Sequence, residues 1–155
     1  DIVIFTNSDI CCGPSCCWEI AASMMAGDAF CCSRRDFQRI DRVLAQDEIG
    51  KGVHYPGLDL FAFRVRWWND HGPEFPDMLL GREMWDLVMF CLMEATSPGL
   101  DVRLKNLIYH ETHYQFWADH RNRSMKSQQH NVGLGREWLG SRNIDAGRFS
   151  NQFWT

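Results

Sequence analysis

Apolar positions along this chain follow two spacings, one typical of strands and one typical of helices. The first run, residues 2–6, is continuously apolar and predicts a strand buried on both faces. Further strands are predicted at 28–33, 60–65 and 104–109. Helical spacing predicts helices at 18–25, 37–44 and 82–95. Residues 47–57, rich in glycine, and 67–76, which hold two prolines, are expected to be irregular.

Strands that alternate with helices indicate an α/β sheet, with parallel pairing in its first part. The length of 155 residues predicts a single domain, 1–155, and the 45% hydrophobic content is enough to form a core. The longest apolar runs, such as 87–93, are far too short to cross a bilayer. A net charge of −4 without a basic block gives no reason to expect nucleic-acid binding.

The seven cysteines bear on the compartment of the protein. Seven is an odd number and no two cysteines have the two-residue spacing of a zinc ribbon, so we interpret them as reduced, buried side chains and favour a cytoplasmic protein. A disulfide between the 11–17 cluster and the 31–32 pair is the alternative if the chain is secreted. Because the sequence opens on an apolar strand, we expect it to be a fragment of a longer polypeptide.

Polar clusters fall at the predicted strand ends, where open α/β sheets bind ligands. Asp9 is able to bind a hard cation beside a phosphate or, as the alternative, to cap the following helix. Asp86 lies among apolar residues of a predicted helix, so it is either paired with an arginine or acts as a base. The four polar clusters at the predicted strand ends are Asn7-Ser8-Asp9, Arg34-Arg35, His54 with Asp59, and His110-Glu111-Thr112-His113.

His110 and His113 are three residues apart, which is not the zinc-protease spacing. In an extended segment the two rings point to opposite faces, whereas in a helical one they share a face. Only the helical geometry is expected to make them a joint pair of metal ligands.

Taken in order, these clusters resemble the second half of a glycosyltransferase of the GT-A type, from the nucleotide-diphospho-sugar transferase superfamily. The resemblance spans roughly residues 2–117, and its most specific piece is residues 54–64. It also includes the Leu80-Gly81 and Trp85-Asp86 pairs and the His110-x-x-His113 motif with Trp117. It implies a GT-A-like mixed sheet flanked by helices, with the chain as the C-terminal part of that fold and without the N-terminal nucleotide-binding half.

The resemblance also implies roles for individual residues. Asp9 and one or both of His110 and His113 would hold Mn²⁺ or Mg²⁺ against the diphosphate of a nucleotide-sugar donor. Asp86 or Asp59 would be the catalytic carboxylate on the acceptor side. A partner chain would supply the missing nucleotide-binding half. For substrate binding, the resemblance implies Asn7, Arg34, Arg35, His54 and Trp117.

Two other hypotheses belong to different classes. The first is a catalytically inactive GT-A-like relative that serves as a structural or interaction subunit, with exposed tryptophans (Trp67, Trp68, Trp138, Trp154) as its partner surface. The second is a ribonuclease-H-like nuclease, for which the sequence offers no convincing set of carboxylates around two metals.

Overall fold

The computed structural model describes residues 1–113 and 125–145, apart from the side chains of residues 103–105. Strands and helices alternate along these residues, and a 3-10 turn at Gly72–Glu74 follows α3. The strands are β1 (Ile2–Thr6), β2 (Ile10–Cys12), β3 (Ala29–Phe37), β4 (Val53–His54), β5 (Leu60–Arg64) and β6 (Asp101–Glu111). The helices are α1 (Cys16–Ala26), α2 (Gln46–Ile49), α3 (Val65–His71), α4 (Trp85–Thr96) and α5 (Lys126–Ser141).

The strands form one mixed sheet in the order β1-β5-β3-β6-β2, with β4 paired to β3. The expected α/β class with a mixed sheet is therefore confirmed. Parallel pairing in the first part is wrong: β5 lies antiparallel between β1 and β3, and the one parallel pair among the described strands is β3 with β6. The last described strand, β6, lies in the middle of the sheet between β3 and β2, and β5 separates β1 from β3, so the order of the strands in the sheet differs from their order in the chain.

Alternating residues of β3 and β5 fill two apolar layers, one on each side of the sheet. Side chains such as Cys31, Phe61 and Phe63 pack with α4 and α5, whereas Phe30, Cys32 and Leu60 pack with α1. Because both strands are central, both of their faces are buried. This explains why β3 and β5 read as continuous apolar runs rather than alternating ones.

The first strand is placed differently from the prediction. β1 lies at an edge of the sheet, and Ile2 and Ile4 are 39% and 43% exposed, so burial on both faces is wrong. The opposite face of β1 contributes to the core, because Val3 and Phe5 pack against the apolar cluster that contains α4. An edge strand presents one face to the core and leaves the other open.

Three further segments differ from their predicted structure. Residues 47–57, expected to be irregular, include most of α2 and the short strand β4. Residues 38–45 are not a helix: Phe37 ends β3, and Ile40 and Leu44 reach their small apolar cluster from a loop. The segment after β5, expected to be irregular, is helix α3 followed by the 3-10 turn. In the loop at 38–45 and in α3 some apolar side chains are buried, such as Leu44 and Trp67, whereas Val43, Val65 and Trp68 are 74%, 37% and 36% exposed.

The tryptophans expected to form a partner surface belong largely to the core. Trp67 and Trp138 are 3% and 7% exposed, Trp68 is 36% exposed, and Trp154 lies outside the described residues. The most exposed tryptophan described is Trp18, at 80%. None of the seven cysteines, all of which lie in the described part of the chain, forms a disulfide. Four are buried in α1, β3 and α4, as expected, whereas Cys11, Cys12 and Cys17 are exposed, so the expectation of burial is wrong for these three. Among the described helices, none is both long enough and apolar enough to span a membrane.

Candidate functional site

Asp9, His110 and His113 form a candidate metal-binding triad at one end of the sheet. Their ligand atoms all lie within 4.8 Å of one another. The Asp9 Oδ2 atom lies 2.9 Å from His113 Nε2 and 3.3 Å from His110 Nε2. His110 is buried, whereas Asp9 and His113 are exposed. The triad therefore has one fixed imidazole and two donors that open to solvent.

Two features of the backbone bring the triad together. Ile10 of β2 pairs with His110 of β6, which places the neighbouring Asp9 beside that imidazole. Strand β6 ends at Glu111, so the chain leaves the sheet before His113 and its ring turns back to within 5.0 Å of the His110 ring. The two histidines meet without a helix, and the expectation that only a helical segment would pair them is wrong.

The donor set fits a divalent cation. With bonds of about 2.1 Å, adjacent ligand atoms lie about 3.0 Å apart in an octahedral site and about 3.4 Å apart in a tetrahedral one. The two Asp9 distances of 2.9 and 3.3 Å match this range. Burial opposes ionisation of Asp9, but the His113 hydrogen bond and the charges of both histidines outweigh it and hold the pKa of the Asp9 carboxyl below 3.8. Asp9 is therefore an ionised ligand at neutral pH.

A buried network of charges stands behind His110. The His110 Nδ1 atom lies 3.1 Å from Asp36 Oδ1, and the same oxygen accepts a 2.7 Å hydrogen bond from Arg34 Nε. Arg34 also donates from Nη1 to Asp59 Oδ1 at 2.7 Å. Its guanidinium lies 3.8 Å from the centre of the Tyr55 ring. Arg34 is only 6% exposed, so its charge interacts with the carboxylates of Asp36 and Asp59 and not with solvent.

Asp59 is the most enclosed carboxylate of this network. Its Oδ1 atom accepts hydrogen bonds from Arg34 and, at 3.2 Å, from the Asn7 amide. Its buried Oδ2 atom has no hydrogen-bond partner among the described residues. Burial raises the pKa of Asp59 despite the attraction of Arg34, and the charge of Asp36 adds to the rise. The ion pair thus offsets only part of the cost of burying this carboxyl.

Asp86 lies in the first turn of α4. Met84, the residue immediately before the helix, has a φ of 79°, a left-handed conformation that costs a non-glycine residue free energy. The Asp86 Oδ1 atom accepts a hydrogen bond from the Leu87 amide at 2.9 Å. Burial, together with the charges of Asp59 and Glu83, raises the pKa of Asp86 to about 6. An arginine partner, the structural alternative for this residue, does not appear among the hydrogen bonds and ion pairs of the described side chains.

The remaining residues predicted to bind substrate are divided between two places. Asn7 joins the network through Asp59, as described above. Arg35 lies on the other side of β3, where its Nε atom donates to Asn106 at 2.7 Å, and His54 lies 3.1 Å from the Ser33 hydroxyl. Burial and the charge of Arg35 lower the pKa of His54. Trp117 lies outside the described residues.

Two residues of the site were not predicted from the sequence. Asp36 contacts both His110 and Arg34, and Tyr55 covers the Arg34 guanidinium. Charged residues two positions apart at the end of a buried strand, here Arg34 and Asp36, lie on one face of the sheet. That spacing was the available signal for Asp36, and the interpretation of Arg34-Arg35 as a pair obscured it.

The fold and the site together define a mixed α/β domain with a candidate metal centre at one end of its sheet. Comparisons with protein-family models, with curated proteins and with solved structures gave no match. The functional argument therefore depends on the geometry and chemistry of the described residues.

Proposed function

We propose that this chain is a metal-dependent glycosyltransferase domain that transfers a sugar from a nucleotide-sugar donor to a hydroxyl acceptor. The observation that carries the proposal is the pairing of a cation-binding triad with a second carboxyl of raised pKa, Asp86. The two are connected electrostatically, because Asp59 interacts with both His110 and Asp86. A GT-A-type reaction needs these two parts: positive charge beside the leaving diphosphate and a base beside the acceptor.

In this proposal, Asp9, His110 and His113 hold the cation, which supplies charge to offset the negative charge that builds on the departing diphosphate. Two imidazoles and one carboxylate favour Mn²⁺ over Mg²⁺, because Mg²⁺ prefers oxygen ligands throughout. The GT-A resemblance puts the chain in the C-terminal half of the fold. We accordingly assign recognition of the donor base to residues outside it, on a partner chain or elsewhere in a longer polypeptide.

Asp86 is the better of the two predicted catalytic carboxylates. The Asp59 oxygens are enclosed, and one of them is bound to Arg34 and Asn7, so Asp59 suits a structural role. The Asp86 side chain accepts a hydrogen bond from the Leu87 amide on one oxygen, and a pKa of about 6 suits a base that works near neutral pH. The acceptor oxygen forms a bond to the anomeric carbon while the bond from that carbon to the diphosphate breaks, and the acceptor proton passes to Asp86.

Calorimetry on the full-length gene product tests the proposal. We expect Mn²⁺ to bind to the protein. We also expect at least one nucleotide sugar of a test panel to bind, and to do so only when Mn²⁺ is present. His113→Ala should weaken Mn²⁺ binding. Asp86→Asn should leave Mn²⁺ and donor binding in place and remove transfer, and exposed Asp70→Asn on α3 is the matched control.

Two outcomes would contradict the proposal. If Mn²⁺ binds but no nucleotide sugar does, the inactive relative that serves as a structural subunit becomes the better hypothesis. If Asp86→Asn retains full transfer activity, the assignment of the base is wrong.

A further inference from the structure

We infer that Asp36, held in place by Arg34, is a positioning residue that fixes the proton of His110 on Nδ1 and so directs Nε2 toward the cation. The inference deepens the proposed function and rests on it, because it takes Asp9, His110 and His113 as the cation site. Neither Asp36 nor the link from Arg34 through it to His110 was predicted from the sequence. Three steps support the inference: the hydrogen bond to His110, the contact with Arg34, and the register of the two paired strands.

The first step is the chemistry of the two His110 nitrogens. Asp36 Oδ1 lies 3.1 Å from Nδ1, and an ionised carboxylate only accepts hydrogen bonds, so Nδ1 carries the proton. In the neutral ring this leaves Nε2 with a lone pair, which faces Asp9 Oδ2 at 3.3 Å. Two such acceptors repel each other unless a positive charge, a proton or a metal ion, lies between them. Metal-binding histidines are commonly backed by a carboxylate in this way.

The second step is the fixed orientation of the Asp36 carboxylate. The same oxygen that contacts His110 accepts a hydrogen bond from Arg34 Nε at 2.7 Å. Arg34 cannot easily turn away, because its Nη1 atom donates to Asp59 and its guanidinium packs on the Tyr55 ring. A lysine has a single ammonium and no planar fork, so it would not keep both carboxylates in these positions.

The third step is the backbone that carries the network. In the parallel pairing of β3 with β6, Asp36 lies opposite His110 and Arg34 lies opposite Ile108. Paired residues share a face of the sheet, so the register itself brings the carboxylate to the imidazole. His113 lies beyond the end of β6 and its side chain is 54% exposed, against 3% for His110. His110 is thus the ligand that the fold holds in advance.

The first experiment measures the His110 tautomer in the metal-free protein by ¹⁵N NMR of the imidazole nitrogens. We expect the Nδ1–H form in the unsubstituted protein and a mixture of tautomers in Asp36→Asn, whose amide is able both to donate and to accept. This readout does not depend on metal or activity. An Nε2–H ring in the unsubstituted protein would overturn the inference even if Mn²⁺ binds.

The second experiment is Mn²⁺ titration by calorimetry at constant pH. We expect Asp36→Asn to weaken Mn²⁺ binding by about 10–100-fold, the usual effect of removing such a partner. Arg34→Lys should also weaken Mn²⁺ binding. This variant tests the inference if Asp36→Asn fails to fold. Asp70→Asn is the control, since it removes the same charge from an exposed position.

The two possible failures are distinguishable. If the unsubstituted protein binds Mn²⁺ and both variants bind it within about twofold, the inference is wrong and the cation site stands. If the unsubstituted protein binds no Mn²⁺, the cation site of the proposed function is wrong, and the inference falls with it.

Discussion

Replacing Asp86 with asparagine is expected to stabilise the protein at pH 7–8 but not at pH 4. The Asp86 carboxyl has its pKa raised from 3.8 to about 6, with burial as the largest cause. At about 1.4 kcal/mol per pKa unit, this shift corresponds to a cost of up to about 3 kcal/mol for ionised Asp86 in the folded state. Asparagine has a similar shape and no charge, so the variant avoids that cost.

The sign follows from proton binding in the two states. Below pH 3.8 the carboxyl is protonated whether the chain is folded or unfolded, and Asp86 has no net effect. Between pH 3.8 and about 6 only the folded state keeps the proton, so the stability of the unsubstituted protein falls as the pH rises. Above about pH 6 the penalty is complete. The stability difference between variant and unsubstituted protein should therefore grow across this window and then level off.

Urea unfolding at pH 4, 5, 6, 7 and 8 checks this expectation, with the difference between the two proteins taken at each pH. Titrating groups that do not interact with Asp86 change both proteins alike and cancel, so the remaining difference reports Asp86 together with its neighbours Asp59 and Glu83. Asp70→Asn, at an exposed position, should show no comparable growth of the difference with pH. A difference for Asp86→Asn that stays constant from pH 4 to pH 8 would refute the assignment of a raised pKa to this carboxyl.

Three other substitutions and one control variant, Trp18→Ser, test the fold around the site. Fully buried Asn131 of α5 makes three hydrogen bonds to the loop before α4, so Asn131→Ala should lower the free energy of unfolding by about 2–4 kcal/mol in urea; a loss under about 1 kcal/mol would mean that the loop is held by other contacts. A Cβ atom on Gly52 would lie 2.5 Å from the Phe37 ring, so Gly52→Ala should cost about 1–3 kcal/mol in thermal unfolding, and an unchanged melting temperature would contradict that close approach. Trp85→Ala should lower the free energy of unfolding by about 3–5 kcal/mol, because Trp85 is only 4% exposed. Trp18→Ser, at a position that is 80% exposed, should change it by less than about 0.5 kcal/mol. Similar effects at both positions would contradict the described core.

The elements that the sequence predicted well are those in which local pattern and burial agree. Strands at 60–65 and 104–109 and the helix at 82–95 correspond to β5, β6 and α4 within a few residues. The helix predicted at 37–44 failed because spacing alone does not distinguish a helix from a loop. Phe37, Ile40 and Leu44 all reach the same apolar cluster, but Phe37 does so from the end of a strand.

The candidate site was partly predictable for a similar reason. Polar residues that follow apolar strands marked Asp9 and the segment from His110 to His113 as strand ends, and the resemblance to GT-A-type glycosyltransferases implied that they share a cation. Asp36 was not, because its role depends on the pairing of β3 with β6, two strands separated by more than 60 residues of chain. The two-residue spacing of Arg34 and Asp36 indicates that they share a face of β3, but local periodicity does not reveal which strand pairs beside that face.

The balance of charge agrees with the proposed cation site. Asp36 and Asp59 both contact the buried Arg34, and Asp9 interacts with His110 and His113. Burial raises the pKa values of Asp59 and Asp86, and the charges of Asp36 on Asp59 and of Asp59 on Asp86 add to the rise. Buried carboxylates without full compensation are costly. A cation held beside Asp9, as proposed, would bring positive charge next to His110, which acts on Asp59, and would therefore offset part of that cost.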